Sequence, residues 1–162
     1  MKRFLLLIIA LITAAGVAAC SNEANEPTVS MYDLRVAMLA ADSEMPEMKN
    51  VSSVENNADK LFTYLSDFDY NKIDAYYLAY AADGMAFEVA VVALKKASDV
   101  PEMVASLKKH VENRVSLYKS YAPDQVPLAE ATLVTSSGRY AALIMCRDQA
   151  AVRAVFEQAV KG

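Results

Sequence analysis

Ile73-Asp74-Ala75-Tyr76-Tyr77-Leu78-Ala79-Tyr80-Ala81, then Ala82-Asp83-Gly84, then Met85-Ala86-Phe87-Glu88-Val89-Ala90-Val91-Val92-Ala93-Leu94-Lys95: this stretch decides the fold. Both flanks favour strands, because aromatic and β-branched side chains suit a pleated, half-buried surface. Asp-Gly between such runs is the strongest short hairpin signal. With Asp83 and Gly84 as the two loop residues, Ala82 pairs with Met85 and the register follows. Tyr80 then faces Phe87, Leu78 faces Val89 and Tyr76 faces Val91, which makes one bulky core side. The other side carries Ala75, Tyr77, Ala79 and Ala81 with Ala86, Glu88, Ala90 and Val92. It is flat and alanine-rich, with Tyr77 and Glu88 as candidate interaction residues.

Downstream, Ser98-Asp99-Val100-Pro101-Glu102 reads as a helix start, with a cap, a first-turn proline and a following acid. The helix runs to about Lys119. Val100, Met103, Val104, Leu107, Val111, Val115 and Tyr118 form its buried stripe. Arg114 falls within that stripe, near the line of Leu107 and Tyr118. Pro123 ends the helix, since it disfavours helical geometry at Ala122. Ala131–Thr135 and Tyr140–Cys146 form a second hairpin around Ser136-Ser137-Gly138, with a loop of two residues or three. Asp148 caps a last helix with Val152, Val155, Phe156 and Val160 on one side.

Upstream, Thr28–Ala41 reads as a helix with Met31, Leu34, Met38 and Ala41 on one face. Ser43–Ser53 reads as a loop, Asn57–Ser66 as a short helix and Asp67–Asn71 as a polar break. The expected fold is α+β: a four-stranded antiparallel sheet in the order β-β-α-β-β-α, preceded by one or two N-terminal helices. The two C-terminal helices are expected on one face. The N-terminal helices either cover the alanine-rich face or leave it open for a partner.

The chain begins with an address. Met1-Lys2-Arg3 is positive and Phe4–Ala15 is almost wholly apolar, too short for a comfortable membrane span and right for a signal peptide. Val17-Ala18-Ala19-Cys20 resembles the bacterial lipobox. That resemblance implies cleavage between Ala19 and Cys20 and a diacylglyceryl group on the Cys20 thiol. Two acyl chains anchor stably where one is marginal. Residues 1–19 are therefore expected to be a leader and 20–27 a lipidated cysteine with its tether. Residues 28–162 should form a single domain. The polar tether spans at most about 25 Å. The expected location is the extracytoplasmic face of the cell membrane.

Sixteen Lys+Arg against twenty Asp+Glu give −4. Loss of Lys2 and Arg3 leaves 14 cations against 20 acids, a formal −6. An acidic chain argues against a nucleic-acid partner and against electrostatic adhesion to anionic lipid. Membrane contact must then come from the anchor.

Of two cysteines, an acylated Cys20 leaves Cys146 unpaired in an apolar run, where a free thiol is ordinarily buried and inert. His110 is the only histidine. One histidine and one free cysteine supply no zinc site, and the glycines lie at turns instead of forming a phosphate loop. No catalytic set, cofactor or metal is expected. Arg114 is either satisfied internally or holds a carboxylate from a ligand or partner.

The run Ala82-Asp83-Gly84-Met85-Ala86-Phe87-Glu88-Val89, the helical Arg114, Tyr121-Ala122-Pro123-Asp124-Gln125, and the Gly138-Arg139-Tyr140 hairpin with its final helix resemble one family. It is the family of small bacterial lipoproteins known as domain of unknown function 4358. The resemblance covers roughly residues 28–160. It implies the fold and the location, and no catalytic residue. The leading functional expectation is a non-enzymatic, lipid-anchored binding or assembly module. The rivals are an envelope enzyme and a homo-oligomer built through the alanine-rich face.

Overall fold

The computed structural model describes residues 29–161. The leader, the lipobox with Ala19 and Cys20, and the tether lie outside them. In chain order the elements are α1 (Met31–Ala40), β1 (Met48–Ser52), α2 (Ala58–Phe62), β2 (Ile73–Ala81), β3 (Glu88–Leu94), α3 (Val100–Tyr121), α4 (Val126–Glu130), β4 (Leu133–Ser137), β5 (Tyr140–Met145) and α5 (Gln149–Val160). The α+β class holds, but the sheet has five strands, in the order β1-β2-β3-β5-β4, with every pairing antiparallel. The fifth strand is β1, read from sequence as loop. Its Met-Lys-Asn-Val-Ser pattern buries only Val51, as an edge strand with one inward residue does.

The first hairpin is one residue out of the expected register. Tyr80 pairs with Glu88, Leu78 with Ala90 and Tyr76 with Val92. The cause is the loop. Residues 82–87 form a wide six-residue connection in place of a two-residue turn. Gly84 N–H donates to the Ala81 carbonyl at 3.2 Å, and Met85 N–H to Asp83 Oδ1 at 3.0 Å. Gly84 adopts φ +81°, a left-handed geometry that glycine reaches without strain. The bracket closes where Ala81 N–H meets the Phe87 carbonyl at 2.9 Å. A one-residue slip exchanges the faces of a whole strand. Tyr76, Leu78 and Tyr80 therefore share a face with Glu88, Ala90 and Val92. Tyr77 and Ala79 share the other with Val89, Val91 and Ala93.

Helices cover both faces, which corrects the expected placement of both C-terminal helices on one. On the first face α3 lays Val100, Met103, Leu107 and Tyr118 against β2, β3 and β5, with α2 beside it. On the second, α1 contributes Leu34 and Met38, and α5 contributes Val152 and Phe156. Each such fully buried side chain contributes about 1.5–3 kcal/mol. Two covered faces explain why β3 and β5 are buried at every position. Tyr77 accordingly lies beneath α1, with its hydroxyl donating to Met38 Sδ at 2.9 Å. It presents no patch to a partner, and the expected alanine-rich face does not exist as one surface: its β2 half lies on the α1 side of the sheet and its β3 half on the α3 side. The second hairpin turns on two residues, Gly138 and Arg139, with Ser137 paired to Tyr140.

Candidate functional site

His110, Arg114 and Tyr118 follow one another at intervals of four along α3, so they lie in one row on its surface. That row faces the first residue of β3, Glu88. The register described above turns Glu88 toward α3; the two-residue turn would have grouped it with Tyr77. The Glu88 side chain is only 4% exposed. A carboxylate buried to that degree needs partners, and α3 supplies them. His110 Nε2 lies 2.6 Å from Glu88 Oε1, and Arg114 Nε lies 3.4 Å from Glu88 Oε2.

The row continues to Tyr118. Arg114 Nη2 donates to the Tyr118 hydroxyl, which donates in turn to the Met85 carbonyl at 3.0 Å. Burial pushes the Tyr118 phenol up to about 12, so it stays protonated and able to donate at neutral pH. The guanidinium also sits 4.9 Å from the Tyr118 ring centroid. The 82–87 loop is held from a second side. Ala86 N–H donates to Gln125 Oε1 at 3.1 Å, and the Tyr121 hydroxyl to the Gly84 carbonyl at 3.4 Å. Tyr121-Ala122-Pro123-Asp124-Gln125 thus has a mechanical role. It ends α3 and returns Gln125 to Ala86, in the loop that leads into Glu88.

Above this floor is a cleft of about 340 Å³, lined by Tyr64, Leu78, Tyr80, Glu88, His110 and Arg114. Tyr64 is 62% exposed and forms the rim. His110 also borders a smaller polar cleft of about 170 Å³ that includes Ser66, Asp67, Ser106 and Lys109. There Lys109 Nζ pairs with Asp67 Oδ2 at 3.0 Å, and that contact holds the Asp67 carboxyl below its usual range.

Two groups in the floor keep unused capacity. Arg114 Nε is buried and has no hydrogen-bond partner, because its 3.4 Å approach to Glu88 is an ionic contact without hydrogen-bond alignment. Nδ1 of His110 makes no hydrogen bond among the described residues. An imidazole set by a carboxylate on one nitrogen can accept or deliver a proton at the other.

The sequence-derived candidates thus divide three ways. Glu88 and Arg114 come together at one site. Tyr77 is on the opposite side of the sheet from both. Ala19 and Cys20 lie outside the described residues. His110, noted in the sequence only as the single histidine, and Tyr118, a member of the buried stripe, were not among those candidates. The four-residue spacing from His110 to Arg114 to Tyr118 was the available signal. His110 and Cys146 lie on opposite faces of the sheet and form no nucleophile–base pair. Cys146 is buried on the α1 and α5 side of the sheet. Burial and the nearby Asp42 carboxylate push its thiol up to about 12. Among the described residues no three His, Cys, Asp or Glu side chains group into a metal-binding set.

The family model described as Domain of unknown function (DUF4358) matches residues 46–146, a span that contains every residue lining the cleft over Glu88. No curated protein and no solved structure matches the chain.

Proposed function

The chain belongs to the DUF4358 family, and from that premise we propose that it is a lipid-anchored, extracytoplasmic binding module whose ligand enters the cleft over Glu88, His110 and Arg114. One observation carries this reading: a mostly aromatic wall, formed by Tyr64, Leu78 and Tyr80, meets a floor of three convergent ionisable side chains. That combination of apolar lining and a few placed polar groups is the usual form of a small-ligand site. The floor is also expensive. A buried ion pair often contributes less than well-packed apolar side chains would, so its presence is better accounted for by use than by stability.

The anchor supports the location. A positive start, a short apolar run and small residues before Cys20 make up a lipoprotein leader. No described helix is long and apolar enough to cross a membrane. A Cys20→Ser chain should leave the membrane fraction or stay unprocessed. Unchanged processing and membrane association in that variant would rule the anchor out.

The Glu88–His110 contact of 2.6 Å favours a second reading, an envelope enzyme that uses His110 as acid or base. The two readings separate in a His110→Asn variant. An enzyme converts its ligand, and the variant keeps affinity but loses that turnover, whereas a binding module releases its ligand unchanged in wild type and variant alike.

A further inference from the structure

We propose that the cleft binds a monocarboxylate carrying a small apolar or aromatic body, with Arg114 as the partner of the carboxylate. This rests on the reading of the cleft as a ligand site. Three features of the floor select the charge. Glu88 is 4% exposed, with Oε1 on His110 and Oε2 against the Arg114 guanidinium, so its charge is already opposed within the floor. Arg114 is the more accessible ion, with 24% of its side chain exposed. Its guanidinium keeps Nη1 open, with no hydrogen bond among the described residues, while Nη2 serves Tyr118 and Nε is buried against Glu88. A planar fork with an open side matches the two oxygens of a carboxylate.

The same floor limits the charge. One guanidinium already opposed by Glu88 leaves little to balance a dianion, so a phosphate monoester is disfavoured. The wall selects the rest of the ligand. Tyr64, Leu78 and Tyr80 offer ring faces and methyl groups in place of further hydrogen-bond donors. The volume of about 340 Å³ is at the small end of ligand sites, which suits a body about the size of one aromatic side chain.

The test uses the full chain in lipid nanodiscs and two matched probes, N-acetylphenylalanine and its neutral amide, read by saturation-transfer NMR. The acid is expected to bind at least about tenfold tighter than the amide, since only it fills the guanidinium edge. Arg114→Gln should abolish that preference, and Arg114→Lys should reduce it, because an ammonium keeps the charge and loses the fork. Glu88→Gln should do the opposite and tighten acid binding several-fold, because it removes the competing anion while leaving an acceptor for His110. That gain is the decisive arm. Folded Glu88→Gln with unchanged or weaker acid binding overturns the proposal, whether or not the Arg114 variants keep their near-UV circular dichroism. Equal binding of acid and amide, lost together in Tyr80→Ser, would overturn the carboxylate and leave the cleft standing. Binding of neither probe by the folded chain would also overturn it, without bearing on whether the cleft takes some other ligand.

Discussion

Asp42 follows α1 and holds that helix to the start of α5. Its carboxylate is buried. Oδ2 accepts from Arg147 N–H at 2.8 Å and Asp148 N–H at 3.0 Å, and Oδ1 accepts from Glu44 N–H at 2.9 Å. Replacing it with asparagine keeps the shape and removes the charge. The amide oxygen can keep the Arg147 and Asp148 bonds, but its NH2 then meets the Glu44 N–H, donor against donor. One charge-assisted bond of about 1.5–3 kcal/mol is lost, and the other two fall toward the neutral value of about 1 kcal/mol. The expected cost at pH 7 is about 3 kcal/mol, or roughly 1–2 M in urea midpoint for a domain of this size. The pH dependence has a definite sign. Burial alone would raise the Asp42 pKa, but its backbone N–H partners and the Cys146 thiol outweigh burial and hold it below 3.8. A depressed carboxylate stabilises above its unfolded pKa and loses that contribution as pH falls through the folded value. The gap between wild type and Asp42→Asn should therefore be complete at pH 7, and begin to close only below about pH 4. Urea unfolding of the domain from residue 21, followed by tyrosine circular dichroism at pH 7 and pH 2.5, measures both. Carboxylates elsewhere cancel between the two proteins. An undiminished gap at pH 2.5, or no gap at pH 7, would refute the reasoning.

Two further outcomes follow from the same coordinates. Tyr118→Phe removes the hydroxyl between Arg114 and the Met85 carbonyl; a loss of about 1–2 kcal/mol should lower Tm by roughly 4–8 °C in a thermal melt. Cys146, buried and with its thiol pushed up to about 12, should resist a disulfide reagent at pH 8 in the folded domain and react fully in urea; rapid native labelling would contradict its placement beneath α1 and α5.

Four of the helices, α1, α2, α3 and α5, were legible because each declares itself locally, whereas the short α4 (Val126–Glu130), which follows directly on Pro123, read as loop. Ser30 caps α1 through Asp33 N–H, Asp148 caps α5 through Ala151 N–H, and Pro101 and Pro123 bracket α3. The sheet was less legible because its errors are non-local. Asp83-Gly84 signals a tight turn, yet the loop is held open by Gln125, thirty-nine residues away, and by Tyr118. Nothing within 73–95 reveals that tie. β1 went unread because a short edge strand with Lys49 and Asn50 looks like loop until β2 pairs with it. The amphipathic stripe of α5 shows that the helix is buried, and says nothing about which face of the sheet it covers. The site shares this limit. Glu88 and Arg114 were each singled out, but the residue-level slip in register had put Glu88 with Tyr77, so their meeting was hidden.

The cleft over Glu88, His110 and Arg114 is proposed as the place where the protein does its work. A photo-crosslinking residue placed at the exposed rim position Tyr64, in the full chain expressed in its native cells, tests this most directly. The same residue at exposed Val36, on α1 across the sheet, serves as the control. The account predicts a discrete adduct from position 64 that disappears when Arg114→Gln is added, and no equivalent adduct from position 36. An adduct from position 64 indifferent to Arg114, or one only from position 36, would contradict it.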